Sequence, residues 1–317
     1  MKKLTLAISA IAAAFGATAA KADVSVSGSG SAAYVNDMSS NAKLNVGQAV
    51  SFSMSTTTAN GITISGGMGL TNTITTNAGQ GVSGGQTLTF ATGGSTIVVG
   101  DVEAGDTPGS VGGVVGGQVG DNGGSNTDVA TGFADDDGMG LSLSTALGGS
   151  SLTIVYVAND GKDTLGTINS STSGEDALTS ASITVPMGMY TVTAGVADSD
   201  TGESASGASV AAALGGGTLT LGYSNQTIDN GDHAKLSTTG DTTSAGATYS
   251  MSLDAATTVA VGYNSAKDAD SDAASKMELS IERSLGGGAS VYLDMVNLSG
   301  DAATDGTALG FGTAVSF

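Results

Sequence analysis

From residue 23 to the end of the chain, apolar residues recur at every second position in short runs. Leu44, Val46, Val50, Phe52 and Met54 share one parity, while Lys43, Asn45, Ala49, Ser51, Ser53 and Ser55 take the other. The end of the chain repeats the pattern, with Leu309, Phe311, Thr313, Val315 and Phe317 set against Ala308, Gly310, Gly312, Ala314 and Ser316. A period of two belongs to a strand, whose successive side chains point to opposite faces, and not to a helix. The chain is therefore expected to be all-β. In a soluble sandwich the larger parity faces a core. In a transmembrane barrel it faces lipid, and the smaller, polar parity lines the lumen. Alternation alone leaves both open.

The connections between the runs separate the two. Tight ones fall at 57–61, 91–94, 148–150, 186–188, 215–217, 254–257 and 286–288, and longer polar ones at 36–41, 75–85, 101–139, 158–177, 197–204, 227–243, 265–275 and 299–306. Seven short turns alternating with eight long loops join sixteen strands. Short turns on one rim and long loops on the other characterise bacterial outer-membrane barrels. Of the 29 carboxylates, all but Asp23, Asp254, Glu278, Glu282 and Asp294 lie in the long connections, which predicts a lipid face free of charge. Barrels of about sixteen strands leave an aqueous channel. Their lumenal parities here, such as Thr191, Thr193 and Gly195, or Thr248, Ser250 and Ser252, are too small to plug one. Transport is the expected function.

The start of the chain sets the compartment. Met1-Lys2-Lys3 is basic, the stretch 4–20 is apolar and uncharged, and Ala20-Lys21-Ala22 fits the small-x-small cleavage pattern, so residues 1–22 read as a signal peptide and 23–317 as the barrel domain. After residue 22 only Lys43, Lys162, Lys235, Lys267, Lys276 and Arg283 oppose the 29 carboxylates, a balance that argues against a nucleic-acid partner. No cysteine is present, so no disulfide holds the fold.

Several short segments, taken in order, resemble the general diffusion porins of Gram-negative bacteria, especially their alphaproteobacterial branch. Asp23-Val24-Ser25-Val26-Ser27-Gly28 followed by Tyr34-Val35-Asn36 is similar to the family's first strand. Val98-Val99-Gly100-Asp101, opening the longest connection, is similar to its fifth strand and constriction loop. Leu285-Gly286-Gly287-Gly288-Ala289-Ser290 matches its last periplasmic turn, and the terminal Phe317 its C-terminal assembly signal. The resemblance implies an outer-membrane homotrimer of sixteen-stranded barrels, with short periplasmic turns, long outer loops and a third loop folded into each pore. It implies passive diffusion of small hydrophilic solutes and ions, contact with outer-membrane lipid, no catalysis and no cofactor. The segment 101–139 carries Asp101, Glu103 and Asp106, the carboxylates nearest the strand that anchors it, with no Lys or Arg. Folded into the bore, these three are expected to form the pore constriction against Lys43 on the facing wall, and to favour inorganic cations.

Other signals are weaker. The runs 135–137 and 268–272 offer carboxylate oxygens that could hold Ca²⁺ in the loops, but neither has EF-hand spacing. His233 is the only histidine, and alone it makes neither a catalytic triad nor a zinc site. Tyr34, Tyr156, Tyr223 and Tyr263, near the loop ends of strands, are expected to form an aromatic girdle. The competing reading is a secreted acidic adhesin or a calcium-binding β-solenoid, suggested by the acidic Gly/Ser/Thr-rich composition and by the single segment 116–122. It predicts a constant short repeat, not alternating connections.

Overall fold

The computed structural model describes residues 23–36, 42–74, 79–83, 87–103, 114, 137–158, 177–199, 204–228, 240–268, 273–300 and 306–317. The leader read at 1–22, Asp106, the acidic residues 135 and 136, the run 269–272 and His233 lie outside the described residues.

Among these residues the secondary structure is entirely strand. The order is β1 (Asp23–Asn36), β2 (Ala42–Thr57), β3 (Thr63–Ile74), β4 (Gly79–Ser83), β5 (Thr87–Thr92), β6 (Ser95–Glu103), β7 (Asp137–Leu147), β8 (Ser150–Val157) and β9 (Leu178–Met187). It continues with β10 (Tyr190–Ser199), β11 (Ser204–Leu214), β12 (Gly217–Ile228), β13 (Gly240–Ser252), β14 (Thr257–Asp268), β15 (Ala274–Gly286), β16 (Ala289–Ser299) and β17 (Gly306–Ser316). Each strand pairs antiparallel with its neighbours, and β1 pairs with both β2 and β17, so the sheet closes on itself. Closure joins the first and last strands and so removes the free ends of the sheet, which is what a sheet needs to exist in lipid. An all-antiparallel closed sheet also excludes the β-solenoid, whose coils stack by repetition.

Seventeen strands make sixteen wall positions. β4 pairs with the far half of β3, Gly69 opposite Ser83, and β5 with its near half, Gly66 opposite Leu88, so the two follow one another along one neighbour. The sixteen-stranded barrel expected from the connections is the one observed. One long connection is shorter than expected, because 79–83 belongs to the wall.

All seven tight turns occur where the alternation breaks. Several are two-residue hairpins with glycines at positive φ in both places, such as Gly93 and Gly94 at 42° and 103°, and Gly148 and Gly149 at 59° and 98°. Such primed turns match the right-handed twist of the strands and demand a left-handed backbone that only glycine adopts without cost.

Register fixes which parity faces where. Large apolar side chains on the outer parity are exposed, among them Leu44, Val50, Met54, Leu221, Leu293 and Phe311. The four tyrosines of the expected girdle all lie on that outer face near the long-loop rim, and Tyr34 stacks on Phe311 across the β1–β17 seam with ring centroids 5.5 Å apart. The inner parity divides by height. Toward the short turns it is Ser, Thr and Gly, tied by cross-strand hydroxyl pairs such as Ser144 with Thr153 at 3.0 Å and Thr184 with Thr193 at 3.0 Å. Toward the long loops it is buried and partly apolar, with Val102, Val155, Val157 and Leu178 in one cluster and Val35, Val296 and Leu298 in another. Toward the long loops, therefore, both parities carry apolar residues.

Candidate pore lining and constriction

The charge on the described inner wall gathers on two adjacent strands. In β15, Lys276, Glu278 and Glu282 alternate with the outward Met277, Leu279 and Ile281. In β16, Asp294 lies between Leu293 and Met295 on the inward parity. Asp294 is in register with Ser280, so it sits diagonally between Glu278 and Glu282, a spacing of about 7–8 Å on a sheet face. All three carboxylates occupy one patch near mid-height.

They are not equivalent. Glu278 is 4% exposed, receives Lys276 Nζ on Oε1 at 3.2 Å, and accepts the backbone N–H of Val114 on Oε2 at 3.0 Å. Its charge is thus matched by a cation that is itself only 6% exposed. Asp294 is 2% exposed and its Oδ1 meets no protein donor among the described residues. Glu282 is exposed toward the open part of the lumen. Of the three, it is the carboxylate that a passing ion meets.

The residues read from the sequence as the constriction are placed differently. Asp101 is not in a loop. It lies in β6 opposite Met139, exposed, on the parity of Ile97, while Gly100 and Val102 on either side are buried and Val102 joins the inner cluster. Its side chain therefore points away from the lumen. Glu103 ends the same strand opposite Asp137, and Lys43 lies in β2 opposite Val35. Asp106 is outside the described residues. β2 and β6, which carry Lys43 and Asp101, are not neighbours in the sheet. On β15, Lys276 faces inward and is a lumenal cation that the sequence reading did not single out.

What the sequence reading missed is Lys276, Glu278, Glu282 and Asp294 as a group. A signal for them existed: each takes the parity opposite to strong apolar neighbours in the last strands, which forces it into the lumen. Between β6 and β7 the described residue is Val114. Val114 reaches the inner wall at Glu278, and its methyls lie against Gly262 of β14.

At the turn rim, Asp254 caps the hairpin 253–256 by accepting the N–H groups of Ala256 at 2.7 Å and Thr257 at 2.8 Å. Arg283 reaches it at 3.3 Å. The Ala256 N–H is the main cause that holds this carboxyl below its ordinary value. Arg283 is on the outer parity, but at this rim it sits at headgroup level, not in the apolar band. Phe317 closes the seam: its N–H donates to the Gly28 carbonyl at 3.0 Å, its own carbonyl accepts from Gly28 at 2.7 Å, and its ring lies over Gly28. Among the described residues no group of three or more His, Asp or Glu is placed to hold a metal ion.

A closed antiparallel barrel of sixteen wall positions, with an apolar belt outside and hydroxyls and carboxylates inside, defines a transmembrane channel of the wide bacterial type. The family model for Gram-negative porins matches residues 7–303, and the chain belongs to that family. It is accordingly a multi-pass protein of the outer membrane, in a family of channels and not of enzymes. Solved structures with the same fold include a porin refined at 1.8 Å, with TM-score 0.67, 19% identity, 93% of this chain and 100% of that one covered. The anion-selective porin of Comamonas acidovorans gives TM-score 0.63 and 14% identity, over 94% of this chain and 100% of that one. An in-vitro folded outer-membrane protein of Vibrio cholerae, in its trimer form, gives TM-score 0.67 and 11% identity, over 93% and 99%. Comparison with curated protein sequences gives no match.

Proposed function

We propose that this porin lets small hydrophilic solutes diffuse across the outer membrane as a homotrimer, passing inorganic cations in preference to anions. The observation that carries the charge preference is the inner wall itself. Among inward side chains that are described, Asp23, Glu278, Glu282 and Asp294 stand against Lys276 alone, and Lys276 is already spent on Glu278. Carboxylates lining a pore raise the local concentration of cations and lower that of anions. The fold does not decide this, because a barrel of the same architecture from Comamonas acidovorans is described as anion-selective. Selectivity has to be read from the wall charges. The trimer is supported by the structurally similar outer-membrane protein of Vibrio cholerae, solved in its trimer form.

Reversal potentials of the purified protein in a planar bilayer under a KCl gradient test the preference. A potential of the cation sign is expected, and an anion-signed potential would overturn it. Cross-linking in detergent followed by sizing tests the assembly. A monomer under all conditions would remove the trimer.

A further inference from the structure

On the inner wall, Glu282 of β15 stands in register opposite Tyr292 of β16, and Tyr292 opposite Gly312 of β17. A β-carbon built on Gly312 would lie 2.5 Å from Tyr292 Oη and 2.6 Å from its Cζ. The missing side chain at 312 thus lets the tyrosine lean across β17 and lie along the wall. There it packs against the cluster of Val35, Val296 and Leu298 and stays partly exposed. Its Oη is buried and has no hydrogen-bond partner among the described residues. Two residues nearer the long loops on the same inward row, Asp294 is 2% exposed, and its Oδ1 has no partner either. Buried polar atoms are nearly always hydrogen-bonded, so two such neighbours left over mark a place for an outside donor and acceptor.

Toward the short turns, the wall below this pair forms a hollow of about 550 Å³, within the ~300–1,000 Å³ typical of small-molecule sites. Glu282 stands at its edge, and Ser284, Ser290, Ser29, Ser31 and Ser316 line it, with no Lys or Arg. Serine hydroxyls donate and accept alike. The glycine and alanine positions between them leave room for a solute against the wall.

We propose that Glu282, Tyr292 and Asp294, with the serine-lined hollow beside them, form a binding subsite for one ring of a neutral sugar. A pyranose combines an apolar C–H face with a belt of hydroxyls. Its apolar face lies on the tyrosine ring, and its hydroxyls donate to Glu282 and to Asp294 Oδ1, bonds strengthened by the charge of the acceptor. Tyr292 Oη and the serines supply donors for the sugar oxygens. Lys276 does not neutralise the pair, because it is engaged with Glu278. Two carboxylates also attract an organic ammonium, but such cations are held by cages of several aromatic rings, whereas this wall offers one ring and a field of hydroxyls. The subsite rests on the reading of the barrel as a diffusion channel and names a solute class for it, whatever the sign of its ion selectivity.

The test is the current through the purified parent in a planar bilayer, titrated with maltose. Polyethylene glycol of equal hydrodynamic radius serves as the probe of size alone, and choline as the probe of an ammonium. Maltose should produce current fluctuations that saturate with concentration, and the glycol should not. Glu282→Gln should raise the half-saturating maltose concentration about fivefold. Tyr292→Leu fills the place of the ring without an aromatic face and should abolish saturation, while Tyr292→Phe should keep much of it. Ion conductance and mobility on unheated gels report whether each variant is an assembled channel. Maltose acting like the glycol in a conducting parent, or saturation surviving in an assembled Tyr292→Leu channel, would sink the subsite alone. Choline saturating at lower concentration than maltose would overturn the sugar assignment. A parent that conducts no ions would remove the diffusion reading, and the subsite with it.

Discussion

Neutralising one carboxylate of the inner wall, Glu282→Gln, isolates the electrostatic part of selectivity. The side chain is exposed to the lumen in β15, so an ion travelling about 7 Å from it is attracted or repelled by about 0.6 kcal/mol in water-like surroundings. Screening at a Debye length of ~8 Å reduces this to about 0.25 kcal/mol at physiological salt. Cation and anion are displaced in opposite senses, so the difference between them is about 0.5 kcal/mol, a factor of about two in the permeability ratio. At 1 M salt the Debye length of ~3 Å leaves a factor of about 1.2. The substitution is nearly isosteric and lies away from the Glu278 pair, so conductance for small ions should barely move. Reversal potentials of parent and variant at both salt concentrations measure the effect. An unchanged ratio at physiological salt, or a loss that persists undiminished at 1 M, would refute electrostatic selection at this position.

Asp101→Asn with Glu103→Gln should shift the same potential less than Glu282→Gln, because Asp101 faces outward in β6; a larger shift would mean that the segment after β6 brings these groups into the pore. Lys276→Met should lower stability by about 3–5 kcal/mol through the stranded Glu278, and Lys276→Met with Glu278→Leu should recover most of it, as read from the temperature at which the barrel loses its native mobility on unheated gels. Asp254 has its carboxyl depressed, chiefly by the Ala256 N–H, so its support of the hairpin is complete above the ordinary carboxylate value of about 4 and is lost as pH falls through the lowered one. Protection of the amides of 256 and 257 should therefore drop in acid in the parent and be low at every pH in Asp254→Ala; equal acid sensitivity in both would dissociate the carboxylate from the turn. Deleting Phe317 removes two backbone bonds to Gly28 and should cut outer-membrane yield far more than export, whereas unchanged yield would show that the seam closes without it.

The parts of the fold legible in the sequence are those where side-chain size differs between the two parities. Leu309, Phe311 and Val315 against glycine and alanine announce β17, its lipid face and its end together. The glycine pairs at 93–94, 148–149 and 215–216 announce hairpins because nothing else tolerates the backbone they adopt. β4 was not legible for the complementary reason. Gly79-Gln80-Gly81-Val82-Ser83 offers a single large apolar residue, so no alternation marks it, and only its ladder with β3 assigns it to the wall. β6 fails differently: Ile97, Val98 and Val99 are apolar on both parities, so the sequence cannot say which face Asp101 shares. The burial of Gly100 and Val102 on the inner side, with half-buried Val98 packed against the same cluster, decides it.

The charged patch shows where sequence reasoning could have gone further and where it could not. Glu278 and Glu282 among Met277, Leu279 and Ile281 can only face a lumen if those neighbours face lipid, and Asp294 between Leu293 and Met295 obeys the same rule. That inference needed parity alone. Their different surroundings needed register and tertiary contact. It depends on Gly262 lying opposite Glu278, which follows from the β14–β15 ladder, and on Val114 arriving there from another part of the chain. A glycine in a strand reads locally as a weakness, since it costs conformational entropy and adds no packing. Opposite Glu278 it leaves room for the methyls of Val114, 3.3 Å and 3.4 Å from where a β-carbon at 262 would lie. Sequence gives the residue type, but only the closed barrel gives the neighbour that makes it useful.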